Sequence, residues 1–69
     1  MVRPHEVIQV LQKVGFRQVR QKGSHVQMQR GSVLVTVPVH PRDLHPRTLR
    51  SILRRAGLSV SEFVSLLRN

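Results

Sequence analysis

Two glycine-serine pairs, Gly23-Ser24 and Gly31-Ser32, restrict the fold of this chain more than any other feature. Each pair separates two short runs that have the length of β-strands, and small flexible pairs between such runs are typical of tight hairpins. The sequence therefore predicts an antiparallel meander of three strands, Arg17–Lys22, His25–Arg30 and Val33–Pro38.

The length of the two turns decides which side chains share a face of this sheet. Two-residue loops would bury one face, on which Val33 pairs with Arg30, Val35 with Met28 and Val37 with Val26, and Met28 also faces Val19. The open face would then carry Gln18, Arg20, Lys22, His25, Gln27, Gln29, Leu34 and Thr36, with Lys22 directly across from His25. A three-residue loop at residues 22–24 would instead turn the first strand over.

Along the chain, helices are predicted before and after the meander. Apolar residues recur at three- and four-residue steps from Pro4 to Val14, and Gly15 supplies a C-terminal cap. Pro46 opens a second helix that ends at Gly57. Its inner face would be Leu49, Ile52, Leu53 and Ala56, and its outer face Arg47, Arg50, Arg54 and Arg55. Ser59 and Glu62 form a capping box for a third helix, which would bury Val60, Phe63, Val64 and Leu67.

The predicted fold class is α+β, with the order α-β-β-β-α-α and helices on one face of a three-stranded antiparallel sheet. A chain of 69 residues buries only about 60% of the surface that its unfolded form exposes, so we expect one domain over residues 1–69 with its function on an open surface. Without an apolar leader or membrane-length segment, the chain is expected to be cytoplasmic and soluble.

Charge narrows the classes of partner. Twelve Lys and Arg residues against three acidic residues give a net charge of +9, which favours a polyanion such as RNA or DNA, or an acidic protein. With only two aromatic residues, Phe16 and Phe63, nucleic-acid binding should depend on phosphate contacts rather than on base stacking. The absence of cysteine, the scattered acids and the spacing of the four histidines argue against a metal site.

His25 is the candidate catalytic residue. RNA carries its own nucleophile, the 2′-hydroxyl, so its cleavage needs only a proton acceptor or donor and cations that stabilise the phosphorane. Arg20 and Lys22 beside His25 would supply those cations. A histidine at a strand edge is more often an ordinary surface residue, which is the alternative. A Ser24-His25 nucleophilic pair is disfavoured because neighbouring strand residues point to opposite sides.

Two further functions stay open at this point. Residues 49–67 have the apolar spacing of a helix-turn-helix and would suit a DNA-binding module, although the arginines lie on the first of its two helices. The fold would also permit a passive binder of double-stranded RNA, because a fold does not fix a function.

Four motifs occur in register: Val14-Gly15-Phe16, Gln21-Lys22-Gly23-Ser24-His25, Val37-Pro38-Val39-His40-Pro41, and a run from Thr48 to Ser59. Their order and spacing resemble the HicA mRNA interferase toxins over nearly the whole chain. The chain departs from the usual family pattern at Pro46-Arg47, before the second helix.

The resemblance implies a double-stranded-RNA-binding-domain-like fold and endonucleolytic cleavage of mRNA. Because the residues argue against a metal site, we expect this cleavage to be metal-independent and to need no cofactor. The family's catalytic histidine corresponds to His25, and His40 also occupies a recurrent family position. We predict that RNA contacts Arg20, Lys22, Gly23, Ser24 and Gln27. The resemblance also implies a HicB antitoxin, and an acidic partner would suit the +9 surface by covering its open face.

Overall fold

A computed structural model describes residues 2–69. Its elements are α1 Pro4–Lys13, β1 Arg17–Lys22, β2 His25–Arg30, β3 Val33–Pro38, α2 Pro46–Ala56 and α3 Val60–Arg68. The strands form one antiparallel sheet in the order β1-β2-β3. The predicted α+β architecture and the three predicted strands are confirmed.

Local hydrogen bonds define the ends of the helices. The Glu6 carboxylate accepts a 2.8 Å hydrogen bond from the backbone N–H of Arg3 at the start of α1. At the other end of α1, the N–H of Phe16 donates to the carbonyl of Leu11 at 2.9 Å, as the predicted glycine cap requires. Leu58 makes the same contact with Leu53 at the end of α2.

Both hairpins have two-residue turns, as the sequence predicted. Gly23 and Gly31 have φ values of +58° and +59°, whereas no serine has a positive φ among the described residues. A glycine in this conformation at the first central position is the mark of the type II′ turn, which suits the twist of antiparallel strands. The turns therefore set the register in which Lys22 pairs with His25.

The register between β2 and β3 is also the predicted one. Val26 pairs with Val37, Met28 with Val35 and Arg30 with Val33. The first two pairs are fully buried and face the helices, because helices α1 and α2 pack mainly against β3 on that side of the sheet. Apolar residues at alternate positions on both strands fix this register, since a one-residue slip would expose all of them.

The register at the start of β1 differs from the prediction. A β-bulge between Gln18 and Arg20 leaves Val19 without a partner, so Gln18 rather than Val19 lies opposite Met28. Before the bulge, the side chains of β1 therefore lie on the faces opposite to those predicted. Arg17 rather than Gln18 pairs with Gln29 on the open side. Val19 is the one apolar residue of β1, so burial imposes no continuous alternation on this edge strand.

The core lies between the helices and the inner face of the sheet. Its buried residues are Val7, Val10, Leu11, Phe16, Val26, Met28, Val35, Val37, Leu44, Ile52, Leu53, Ala56 and Phe63. All three helices and the strands β2 and β3 contribute residues to this core, so it holds the sheet in one orientation relative to the helices.

The buried face of α3 is narrower than predicted. Phe63 is buried and Leu67 is partly buried, but Val60 is 59% exposed and Val64 is 38% exposed. Leu66 takes part in packing instead. Helix α3 packs more against α1 than against α2. The prediction that Val60 and Val64 are buried is wrong.

Two cations with no predicted contacts support the helical layer. The Lys13 ammonium donates to the carbonyls of Leu66 and Asn69, both at 2.7 Å, at the negative end of α3. The Arg30 guanidinium donates to the carbonyls of Val14 and Ala56 at 2.7 and 3.3 Å. It also lies 4.5 Å from the centre of the Phe16 ring. These side chains connect elements that are distant in sequence.

The predicted capping box of α3 gives a pH-dependent contribution to stability. The Glu62 carboxylate accepts from the Ser59 N–H at 2.8 Å, and the Ser59 hydroxyl accepts from the Glu62 N–H at 3.0 Å. The first contact, and secondarily the Ser59 side chain, lowers the pKa of Glu62. Stability from a lowered carboxyl pKa is present above the pKa of the unfolded chain and is lost as pH falls through the folded pKa.

We therefore expect acidification through that range to lower the urea midpoint of the wild type slightly more than that of Glu62→Gln. Parallel urea titrations at several pH values, followed by circular dichroism, would measure this difference. Because Glu62 is exposed, the expected difference is small. Identical pH dependence of the two proteins would contradict a role for the ionised cap.

Candidate nucleic-acid interface and active site

The side of the sheet that faces away from the helices forms a small grid, which we call the open face. Its three rows run across β1, β2 and β3: Arg17-Gln29-Leu34, Arg20-Gln27-Thr36 and Lys22-His25-Pro38. The β1 column is cationic, the β2 column holds amides and a histidine, and the β3 column is uncharged. Positive charge is therefore concentrated along one edge of the open face.

His25 occupies the row next to the first hairpin. It is the first residue of β2 and is exposed, while the next residue, Val26, is buried and anchors the strand in the core. Its partner Lys22 lies directly across the strand pair, where Cα atoms are about 5.5 Å apart in a hydrogen-bonded pair. No hydrogen bond holds the His25 ring among residues 2–69, so both ring nitrogens are accessible to a ligand.

The turn that carries His25 is held in place by its neighbours. The Gln21 side-chain amide donates to the carbonyl of Gly23 at 3.3 Å. The backbone N–H of Val39 donates to the carbonyl of Ser24 at 2.6 Å, just beyond the end of β3. Hydrogen bonds thus join Gly23 and Ser24 to residues of β1 and to the segment that follows β3. No contact joins the Ser24 hydroxyl to the His25 ring in the described part of the chain.

The cations of β1 have no acidic residue beside them in the sheet. Glu6 and Glu62 lie in the first turns of α1 and α3, and Asp43 lies in the loop before α2. Unneutralised cations on an exposed surface attract phosphate groups. The arrangement therefore suits a polyanion that crosses the open face along β1 and reaches His25 at the hairpin.

Arg17 is the residue of this surface that the sequence did not reveal. Regular pairing from the turn would place Arg17 on the buried side, whereas the bulge at Val19 brings it to the open face opposite Gln29. A run of polar residues containing one valine gives no periodic signal of a bulge. The predicted residues Arg20, Lys22 and Gln27 take the expected positions beside or across from one another.

Two of the other three histidines, His40 and His45, make local contacts. His40 Nδ1 accepts from the backbone N–H of Arg42 at 3.2 Å, and His45 Nδ1 accepts from that of Arg47 at 3.0 Å at the start of α2. Within residues 2–69, no three His, Asp or Glu side chains are grouped closely enough to hold a metal ion. His40 and His45 thus support the connection between β3 and α2.

Helices α2 and α3 present different surfaces. Arg47, Arg50 and Arg54 are exposed on α2, while the exposed residues of α3 include Val60, Ser61 and Val64. A recognition helix needs side chains that read bases or bind phosphates, and the middle of α3 supplies few of them. The helix-turn-helix alternative therefore gains no support from the position of these side chains.

The fold and the open face define a small basic protein of the double-stranded-RNA-binding-domain-like class, with an exposed histidine at a hairpin. No helix in residues 2–69 has both the length and the apolar character needed to cross a membrane.

A family model described as the HicA toxin of bacterial toxin-antitoxin systems matches residues 4–58. The chain belongs to this family, as its motifs predicted. A comparison with curated proteins finds no matching relative. The match covers α1, the whole sheet and α2, so it contains every residue of the open face. The protein is therefore the toxin of a toxin-antitoxin pair, whose partner is an antitoxin.

Proposed function

We propose that this toxin is a metal-independent endoribonuclease that cleaves mRNA in the cytoplasm and that a HicB-type antitoxin neutralises it. Residues 1–69 would form a single toxin domain. The observation that carries the proposal is the position of His25, exposed at the end of the open face and directly across from Lys22. Family membership supports the toxin role, and the proposal adds the chemistry and the residues.

In the proposed reaction the 2′-oxygen of a ribose attacks the adjacent phosphorus while the bond from phosphorus to the 5′-oxygen breaks. His25 exchanges a proton with the 2′-hydroxyl or with the leaving 5′-oxygen, and solvent exchanges the other proton. The products are a 2′,3′-cyclic phosphate, which water can open, and a 5′-hydroxyl. Lys22, one strand away, stabilises the negative charge of the phosphorane.

Arg20, with Arg17 beyond it, would bind neighbouring phosphates along β1. Gly23 and Ser24 would line the turn, where backbone groups can approach the RNA closely, and Gln27 would hydrogen-bond from the middle column. Such contacts position the RNA and carry little sequence information. The proposal therefore separates binding along β1 from chemistry at the hairpin.

A 2′-deoxy substitution tests the proposal. An RNA that the toxin cleaves at a defined site should become resistant, by at least about 100-fold, when only the ribose at that site lacks its 2′-hydroxyl. Cleavage of the unmodified RNA should persist in excess EDTA, and its products should carry a cyclic phosphate and a 5′-hydroxyl. Gel and mass analysis of the products would measure these results. Cleavage of the deoxy substrate, or products with a free 3′-hydroxyl, would contradict the mechanism.

A further inference from the structure

The two edges of the sheet differ in how well they are protected. Edge strands are open templates for another strand, and proteins usually block them with charges, bulges or proline. Strand β1 has two of these three features, namely the cations Arg17, Arg20 and Lys22 and the bulge at Val19. Strand β3 has no charged residue and consists of valine, leucine and threonine until Pro38 ends it. Strand β3 is therefore the edge that is open to pairing.

The outward backbone groups of β3 follow from the register. In a two-residue hairpin the closing pair, Arg30 and Val33, is hydrogen-bonded, and alternate pairs follow the same pattern. The N–H and C=O groups of Leu34 and Thr36 therefore point away from β2. Consistent with this direction, the Arg55 side chain donates to the carbonyl of Leu34 at 2.9 Å. Beyond the ladder with β2, residues 2–69 supply no partner for the Thr36 N–H or C=O.

A groove runs beside this edge, between β3 and α2. It has a volume of about 410 Å³ and is lined by Leu34, Val35, Thr36, Ser51, Ile52 and Arg55. Val35 and Ile52 are buried and form apolar walls, whereas Ser51 and Arg55 bring polar groups to the surface of the helix. A groove between an edge strand and a helix is the shape that accepts an extended peptide as an additional strand.

We propose that the antitoxin inserts an extended acidic segment into this groove and pairs with β3 as a fourth strand. Charge favours this occupant over a second copy of the chain, since each copy carries a net charge of +9 and two copies would repel each other. Arg55, which lines the groove on the α2 side, would attract carboxylates of the segment. Arg55 would keep its contact with Leu34 at one end of the edge, leaving the Thr36 groups for the new strand.

The position of the antitoxin strand beside β3 also affects how the antitoxin could inhibit RNA cleavage. Neighbouring strands lie about 4.8 Å apart, so a strand beside β3 would be about 10 Å from β2 on the same sheet. Its open-face side chains would extend the row that contains Pro38 and His25, within reach of a long side chain. The inference rests on the antitoxin partner of the proposed function, but it does not require His25 to be catalytic.

The test uses Thr36→Pro in a His25→Ala background, so that RNA cleavage does not affect the measurement. Proline removes the outward N–H of Thr36 and leaves the bonds to β2 in place, because edge strands tolerate it at such positions. We expect the affinity for the purified cognate antitoxin to fall by about tenfold or more, measured by calorimetry. The control, Thr36→Val, keeps the N–H and should bind within about twofold of the background protein.

Amide hydrogen exchange of the unsubstituted chain gives a second measurement that does not depend on the proline variant folding. Adding the antitoxin should slow exchange at Thr36 by at least about tenfold, as expected for a newly formed ladder bond. Unchanged exchange at Thr36, or full affinity of a folded Thr36→Pro protein, would overturn the inference. Thr36 protection in an antitoxin-free dimer, detected by sedimentation, would also overturn it by assigning the edge to a second copy.

Discussion

Replacing His25 with alanine should lower the rate of RNA cleavage by at least about 100-fold while RNA affinity and fold stay nearly unchanged. The ring is exposed at the start of β2 and makes no hydrogen bond within residues 2–69, so its removal leaves no buried group unsatisfied and no cavity. The loss should therefore fall on proton transfer. Single-turnover cleavage of a labelled RNA, with binding measured by anisotropy, would separate the two effects.

Two further variants make this test specific. His25→Gln keeps a polar side chain that cannot exchange a proton in this way, so it should be as inactive as His25→Ala. Lys22→Gln, directly across the strand pair, should weaken binding and reduce the slope of log affinity against log salt by about one. It should also slow single-turnover cleavage of the bound RNA, because Lys22 is proposed to stabilise the phosphorane. Cleavage that persists in His25→Ala with chelator present would assign the chemistry to another group.

The sequence predicts most of this fold because several local signals agree. Gly23 and Gly31 fix the lengths of the turns, and the alternation of Val26 and Met28 with Val35 and Val37 fixes the register of β2 against β3. The capping signals at the helix ends are equally local. Each of these elements carries its own signal, and each signal points to the same arrangement.

The bulge in β1 and the narrow face of α3 could not be predicted in this way. Strand β1 carries only Val19 as an apolar residue, so no alternation marks the position where pairing changes. The spacing of Val60, Phe63 and Val64 fits a buried helix face, but which part of that face is covered depends on how α3 meets α1. Tertiary packing decides both features.

The same distinction applies to the candidate site. The turn sequence places His25 and Lys22 across from each other, and the structure confirms that pairing. Arg17 reaches the open face only through the bulge, and the Arg30 guanidinium donates to the carbonyls of two other segments. The sequence does not show whether a long cationic side chain will bind a phosphate of a ligand or a backbone carbonyl of the protein.

Replacing Phe63 with alanine should have the largest effect on stability of any single change in α3. The ring is 2% exposed and belongs to the core, and truncation of a buried phenylalanine to alanine typically costs about 3–5 kcal/mol. A domain of this size has a total stability of roughly 3–10 kcal/mol, so the variant should lose a large fraction of its stability. Urea titration followed by circular dichroism would measure the loss of stability.

Val60→Ala is the matched control for Phe63→Ala, because both changes shorten an apolar side chain of α3 that the sequence predicts to be buried. Val60 is 59% exposed, so little apolar surface returns to water when it is shortened, and alanine has the higher helix propensity. The change in stability should stay within about 0.5 kcal/mol. A loss of several kcal/mol in Val60→Ala would show that α3 packs through the wider face that its sequence spacing predicts.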